Sequence, residues 1–199
     1  MVVRSPLKVG FVDDENGHDP VAFRLAYFGV GLGGKTSNLL ALARLAGDAT
    51  TDVSWATPFE TESPRTIWYD KLTAALPHEG QTKPLQAYSI PGNVGNLNAW
   101  TLLLHGIAPH GIVFVVDSQI ERTEANLAMA ELLIQIVSDL HRPCDVVVQY
   151  NKRDLLNAAD TRSLSKVLNP QRVPEIEAVA CQSRGVMETV QTIRNLSNK

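Results

Sequence analysis

The sequence predicts an α/β protein, with a mostly parallel central sheet, helices on both faces, and an extra strand at the N-terminus. Three observations carry this. Apolar, strand-like runs alternate with stretches of helical periodicity along most of the chain. One run, Gly111-Ile-Val-Phe-Val-Val-Asp117, is continuously apolar until its final Asp, as a central parallel strand buried on both faces must be. The polar segments that carry chemistry follow directly after strands, where ligands sit in such folds.

Taken in order, Leu7–Val12 and Val21–Phe28 read as two arms of a hairpin around Asn16-Gly17. The first arm makes residues 1–20 an N-terminal extension of a single domain covering 1–199. Ser37–Ala46 reads as a helix. Gly47 to about Thr66 is rich in Thr, Asp, Ser and Pro, has no clear period, and is expected to be irregular. Arg65–Asp70 reads as a strand, Leu76–Gly80 as a turn, and Lys83–Ile90 as a strand ending at Pro91-Gly92. Asn93–Ala108 enters a helix with Leu97, Trp100, Leu103, Leu104 and Ile107 at helical spacing. After the strand at 111–117, Glu121–Leu140 reads as a long helix with Leu127, Ile134, Val137 and Leu140 on one side. Asp145–Tyr150 is a buried strand, Thr161–Leu168 a short helix, Glu175–Cys181 a last strand and Val186–Leu196 a last helix.

Composition narrows the function classes. A chain of 199 residues with 44% hydrophobic and 20% charged residues suits one soluble globular domain. A net charge of −3 and a pI near 5.9 argue against a nucleic-acid partner, which needs a basic face. Cys144 and Cys181 make no disulfide framework and are expected as buried free thiols in a reducing cytosol. No apolar run approaches a membrane span, and the ends show no lipidation signal. No direct membrane anchor is expected, so recruitment to a membrane or cell pole falls to partners.

The strongest local signal is Gly29-Val30-Gly31-Leu32-Gly33-Gly34-Lys35-Thr36, which fits G-x-x-x-x-G-K-[ST] without mismatch, between a predicted strand and a predicted helix. Such a loop curls so that backbone N–H groups face phosphate oxygens, and the following helix turns its positive end to the same place. Gly31, Leu32, Gly33, Gly34, Lys35, Thr36 and Ser37 are therefore assigned to phosphate binding. Lys35 supplies a cation to the outer phosphates, and the Thr36 hydroxyl suits Mg²⁺.

Asn151-Lys152-Arg153-Asp154 follows the strand at 145–150 and selects the base. The Asp154 carboxylate can accept from both the ring N–H and the exocyclic amine of guanine. Adenine presents an acceptor where guanine carries that ring proton, and an unmade polar pair discriminates strongly. The Lys152 stem can lie on the base and Asn151 can tie this loop to the phosphate loop. In Ala178-Val-Ala-Cys-Gln-Ser-Arg-Gly185, the Ala180 N–H is assigned to the guanine carbonyl, with Cys181 beside it. A phosphate loop alone would also permit an ATP-dependent phosphotransferase; the Asn151–Asp154 motif argues against that.

The order of phosphate loop, Pro-Gly, Asp117-Ser118 and Asn-Lys-x-Asp resembles the Ras-superfamily GTPases, and more narrowly the MglA-like bacterial small GTPases that set cell polarity and motility. The carrying stretches are Phe28–Leu39, Arg65–Asp70, Ile90–Gly92, Val113–Arg122, Gln149–Leu155 and Pro174–Ala180. The resemblance implies the small-GTPase fold, GTP and GDP as ligands, Mg²⁺ as cofactor, and a switch whose loops respond to the γ-phosphate. It also implies an MglB-like activating partner, a roadblock/LC7-type homodimer.

By the same resemblance, Thr66 is the switch hydroxyl that joins Mg²⁺, Arg65 an arginine finger in cis, and Gly92 the glycine of the second switch. Thr57 and Thr61 remain rival hydroxyls. Two positions depart from the usual pattern. Ser89 stands where most Ras-like proteins carry Asp, which leaves an indirect, water-mediated Mg²⁺ contact. Asn93 stands where a Gln normally orients the attacking water; its amide is one methylene shorter, so slow intrinsic hydrolysis is expected. These departures keep open a pseudo-GTPase that holds nucleotide and acts only by docking.

Overall fold

The computed structural model describes residues 22–59, 67–92, 97–140 and 143–197. Among them, seven strands form one sheet. β1 (Phe23–Gly29) lies between β4 (Gln81–Ser89) and β5 (Gly111–Asp117), parallel to both. β6 (Asp145–Asn151) and β7 (Glu175–Glu177) extend the sheet in parallel beyond β5. On the other side β2 (Thr50–Phe59) and β3 (Ile67–His78) add antiparallel pairs, giving the order β2-β3-β4-β1-β5-β6-β7. The mixed, mostly parallel sheet agrees with the α/β expectation. The first arm of the expected N-terminal hairpin lies outside the described residues.

Two cores cover the faces. On one, α1 (Lys35–Ala46) and α5 (Val186–Ser197) bury Leu39, Leu42, Val190 and Ile193 against Leu25, Leu72, Val113 and Val147. On the other, α2 (Leu97–Ile107), α3 (Thr123–Asp139) and α4 (Thr161–Leu168) bury Trp100, Leu104, Leu133, Ile136 and Leu164 against Phe28, Phe114 and Val148. β1 and α1 meet at the loop 30–34, at the place where the strand order reverses, and that position makes a crevice.

Four expectations are corrected. The segment after α1 is not irregular: a short 3₁₀ turn at Gly47–Ala49 leads into β2, a ten-residue edge strand. Its Thr, Val and Trp residues favour extended backbone, and a bulge between Ser54 and Thr57, with Ala56 at φ 51°, hides the period-two pattern. The expected turn at Leu76–Gly80 shrinks to Glu79-Gly80, both at positive φ, joining the paired His78 and Gln81. Pro77 is tolerated in β3 because β2 pairs only as far as Ala74, so Pro77 sits on a free edge.

The buried face of α3 is also displaced from the expected stripe: Leu127 and Ile134 are exposed, whereas Asn126, Met129, Ala130, Leu133 and Ile136 are buried. A polar anchor sets this rotation. The fully buried Asn126 amide donates to the Asp117 carbonyl at 2.8 Å and accepts from its N–H at 3.1 Å, tying α3 to the end of β5. Finally, β7 stops at Glu177. Val179 and Arg184 exchange backbone hydrogen bonds, which closes a small loop containing a 3₁₀ turn at Ala180–Gln182.

Candidate functional site

The phosphate loop begins where β1 ends and hands over to α1 at Lys35. Gly34 sits at φ 102°, and a β-carbon there would collide with the Asn151 side-chain amide. Gly92 is packed as closely: a β-carbon on it would strike the backbone of Gly29 and Gly31. The residue expected to open the second switch therefore touches the phosphate loop directly. Ser37 and Leu32 line the adjoining cleft.

Lys35 is buried, and its ammonium donates to the Gly29 carbonyl at 3.0 Å and the Val30 carbonyl at 2.6 Å. Burial lowers its pKa to about 8, and the Asp70 carboxylate pulls it back upward.

Asp70 is the site residue that sequence reasoning missed. It lies on β3 in register with Ser89 of β4. The Thr36 hydroxyl donates to Asp70 Oδ2 at 2.8 Å and lies 3.3 Å from the Ser89 hydroxyl. The carboxylate absent from position 89 is thus supplied by the neighbouring strand. Asp70 shares a face with Leu72, Ala74 and Leu76, which pack on the α1 side, so strand alternation aims it at the start of α1. Its acidic side chain near the start of a largely apolar strand, beside Lys71, was the available signal. Two hydroxyls and a carboxylate are oxygen donors of the kind that could hold Mg²⁺. Among the described residues, no group of three or more His, Cys, Asp or Glu could hold a metal by itself. Arg65, Thr66, Thr61 and Asn93 lie outside the described residues.

At the other end, Asn151 joins the two motifs. Its Nδ2 donates to the Gly33 carbonyl at 2.9 Å, and its Oδ1 accepts from the Ala180 N–H at 2.9 Å. The tie from Asn151 to the phosphate loop matches expectation. The Ala180 N–H, expected to face the guanine carbonyl, instead fixes Asn151. Lys152 sits at φ 64°, and its ammonium donates to Asp117 Oδ2 at 2.7 Å, which fixes the stem across the cleft mouth. Asp154 is exposed on the cleft and makes no hydrogen bond or ion pair with the other described residues. Cys181 lines the same cleft and is exposed, and Cys144 is half-buried, so the expected burial of the two thiols is corrected.

A second polar relay stands behind the loop. Asn38 and Gln149, both fully buried, exchange hydrogen bonds at 2.8 and 3.0 Å, and Gln149 also donates to Thr189 at 2.9 Å. It locks α1, β6 and α5 together beneath both motifs. Among the described residues, no helix is long and apolar enough to cross a membrane.

No family model matches the chain. It is 36% identical over 178 residues to the mutual gliding-motility protein MglA of Myxococcus xanthus (strain DK1622), an alignment that covers 87% of this chain and 89% of the relative. An identity of that size across nearly the whole fold, with the phosphate loop and the Asn-Lys-x-Asp loop joined in space, places the chain in the MglA-like family of small GTPases.

Proposed function

We propose that the protein is a GTP/GDP molecular switch with slow intrinsic GTP hydrolysis, acting in bacterial cell polarity or motility. The observation that carries this reading is the Asn151 amide, which joins the phosphate loop at Gly33 to the base-side loop at Ala180. A triphosphate grip and a purine check built into one unit select a whole nucleotide rather than a phosphate. Lys35 and the loop N–H groups hold the outer phosphates, and Asp154 reads guanine. Cys181, beside Ala180, lines the base side. Mg²⁺, when bound, would supply charge neutralisation at the phosphates. Thr36 would hold it directly, Thr66 would join in the GTP state, and Asp70 and Ser89 would contribute through water. Asp70→Asn is expected to raise the Mg²⁺ concentration for half-maximal GTP binding by about tenfold, since a charged hydrogen-bond partner contributes ~1.5 kcal/mol or more. A Mg²⁺ titration of GTP affinity checks this.

Hydrolysis depends on Arg65 as a charge-stabilising finger and Asn93 as the group that orients water. Lengthening the amide with Asn93→Gln is expected to raise the single-turnover rate by about tenfold, the scale of a small positioning error. Equal rates would remove the short amide as the cause of slow turnover. An MglB-like, roadblock-type homodimer is the activating partner, and it also accounts for any location at the pole or membrane. The relative's name, a gliding-motility protein, supports a role in motility.

A docking-only pseudo-GTPase is favoured by Ser89 and Asn93. Multiple-turnover phosphate release with the activating partner present separates the two readings: sustained release requires a switch, and its absence requires the docking module.

A further inference from the structure

Leu32 occupies an unfavourable place in the phosphate loop. Its φ is 63°, a left-handed conformation that is strained for a residue with a β-carbon. Its side chain is 92% exposed, so packing returns nothing for that strain. The restraint lies one bond earlier. Arg122 Nη2 donates to the Gly31 carbonyl at 2.9 Å. That carbonyl and the Leu32 N–H belong to one planar trans peptide and point in opposite directions. Drawing the carbonyl toward Arg122 turns the Leu32 N–H away from it.

Arg122 is itself braced. It ends the short 3₁₀ turn Ile120–Arg122 that precedes α3. Its Nε lies 3.7 Å from Asp117 Oδ2, the same oxygen that accepts from Lys152. Asp117 is buried, and its backbone is held on both sides by the Asn126 amide. The fork of a guanidinium turns one nitrogen to the loop carbonyl and another to the carboxylate, whereas an ammonium would have to reach both from a single nitrogen.

We propose that Arg122 is a positioning residue for the phosphate loop: by holding the Gly31 carbonyl it keeps strained Leu32 in place, with its N–H presented to the phosphates of guanine nucleotide. The inference rests on the guanine-nucleotide reading. Arg122 acts through the loop peptide and not as a charge on the nucleotide, and the two roles are separable. A glycine at position 32 adopts the left-handed conformation without strain, so the lock matters less there.

The test is a double-mutant cycle on the full chain, reading GDP and guanosine affinity by calorimetry for Arg122→Met, Arg122→Lys, Leu32→Gly and the combinations. With Leu32 present, Arg122→Met is expected to weaken GDP binding by about tenfold, and Arg122→Lys by nearly as much. In the Leu32→Gly background the same changes are expected to cost no more than about threefold. Guanosine, which lacks phosphates, is expected to bind within about twofold throughout. Unchanged GDP affinity in Arg122→Met overturns the lock. So does full retention in Arg122→Lys, equal loss in both backgrounds, or a parallel loss of guanosine. Wild-type protein that binds guanosine but not GDP overturns the lock and spares the base reader, whereas wild-type protein that binds neither overturns the nucleotide reading and the lock with it.

Discussion

Replacing Lys35 by alanine is expected to weaken GDP and GTP binding by about 10²–10⁴-fold, because two charge-assisted contacts are each worth ~1.5–3 kcal/mol. Fold stability is expected to change far less. The ammonium is held by the Gly29 and Val30 carbonyls, and its burial already disfavours the charged form. The same residue gives nucleotide binding a pH dependence. Its folded pKa of about 8 lies below the ordinary 10.5. Between those values the unfolded chain holds more protons than the folded one, so Lys35 makes the nucleotide-free protein more stable as pH rises from 8 toward 10.5. Its cost to stability is fully present below pH 8. Bound phosphate favours the ammonium, so binding takes up a proton once pH passes 8, and affinity falls. A loss of about tenfold in GDP affinity is expected between pH 7 and pH 9, and a flat profile in Lys35→Ala. Calorimetry in buffers of different ionisation enthalpy measures both the affinity and the proton uptake. A pH-independent wild type would show that the ammonium does not meet the phosphates.

Asp154→Asn is expected to exchange base specificity. Guanine offers two donors to the carboxylate, the ring N–H and the exocyclic amine. Asparagine keeps one acceptor and turns an NH₂ group toward the amine. Losing one charged hydrogen bond and adding a donor–donor conflict costs ~3 kcal/mol, about 10²-fold in GDP affinity. Xanthine carries a carbonyl where guanine carries the amine, so the asparagine NH₂ gains an acceptor. The variant is therefore expected to prefer xanthosine diphosphate, in competition binding, by a similar margin. Asp154 suits this exchange because it is exposed on the cleft and engages no other described residue. Retained guanine preference in Asp154→Asn would move the base reader elsewhere.

What could be read in advance follows a physical division. The phosphate loop and Asn151–Asp154 are contiguous, and their chemistry belongs to backbone conformations encoded within a few residues. β5 was legible because burial on both faces leaves an unbroken apolar run. Asp70 was not legible, because its meaning arises only when β3 pairs with β4 and alternation points it at Thr36, thirty-four positions away in sequence. The rotation of α3 was missed because one buried amide, Asn126, outweighs two leucine-like positions that the period alone would bury. The Ala180 amide shows the same limit: its small size and its place after a strand were visible, but its partner Asn151 was set by tertiary contact. Edge strand β2 was hidden by its bulge, since two residues opposing one erase the alternation from which a strand is recognised.

On the proposed reading, one pocket grips a triphosphate and checks the purine. Competition of ATP against GTP for the purified wild-type protein, with and without Mg²⁺, tests it most directly. GTP is expected to bind at least about 10²-fold more tightly than ATP, with the affinity itself strengthened by Mg²⁺. Equal binding of the two nucleotides, with Lys35 and Asp154 in place, would contradict it.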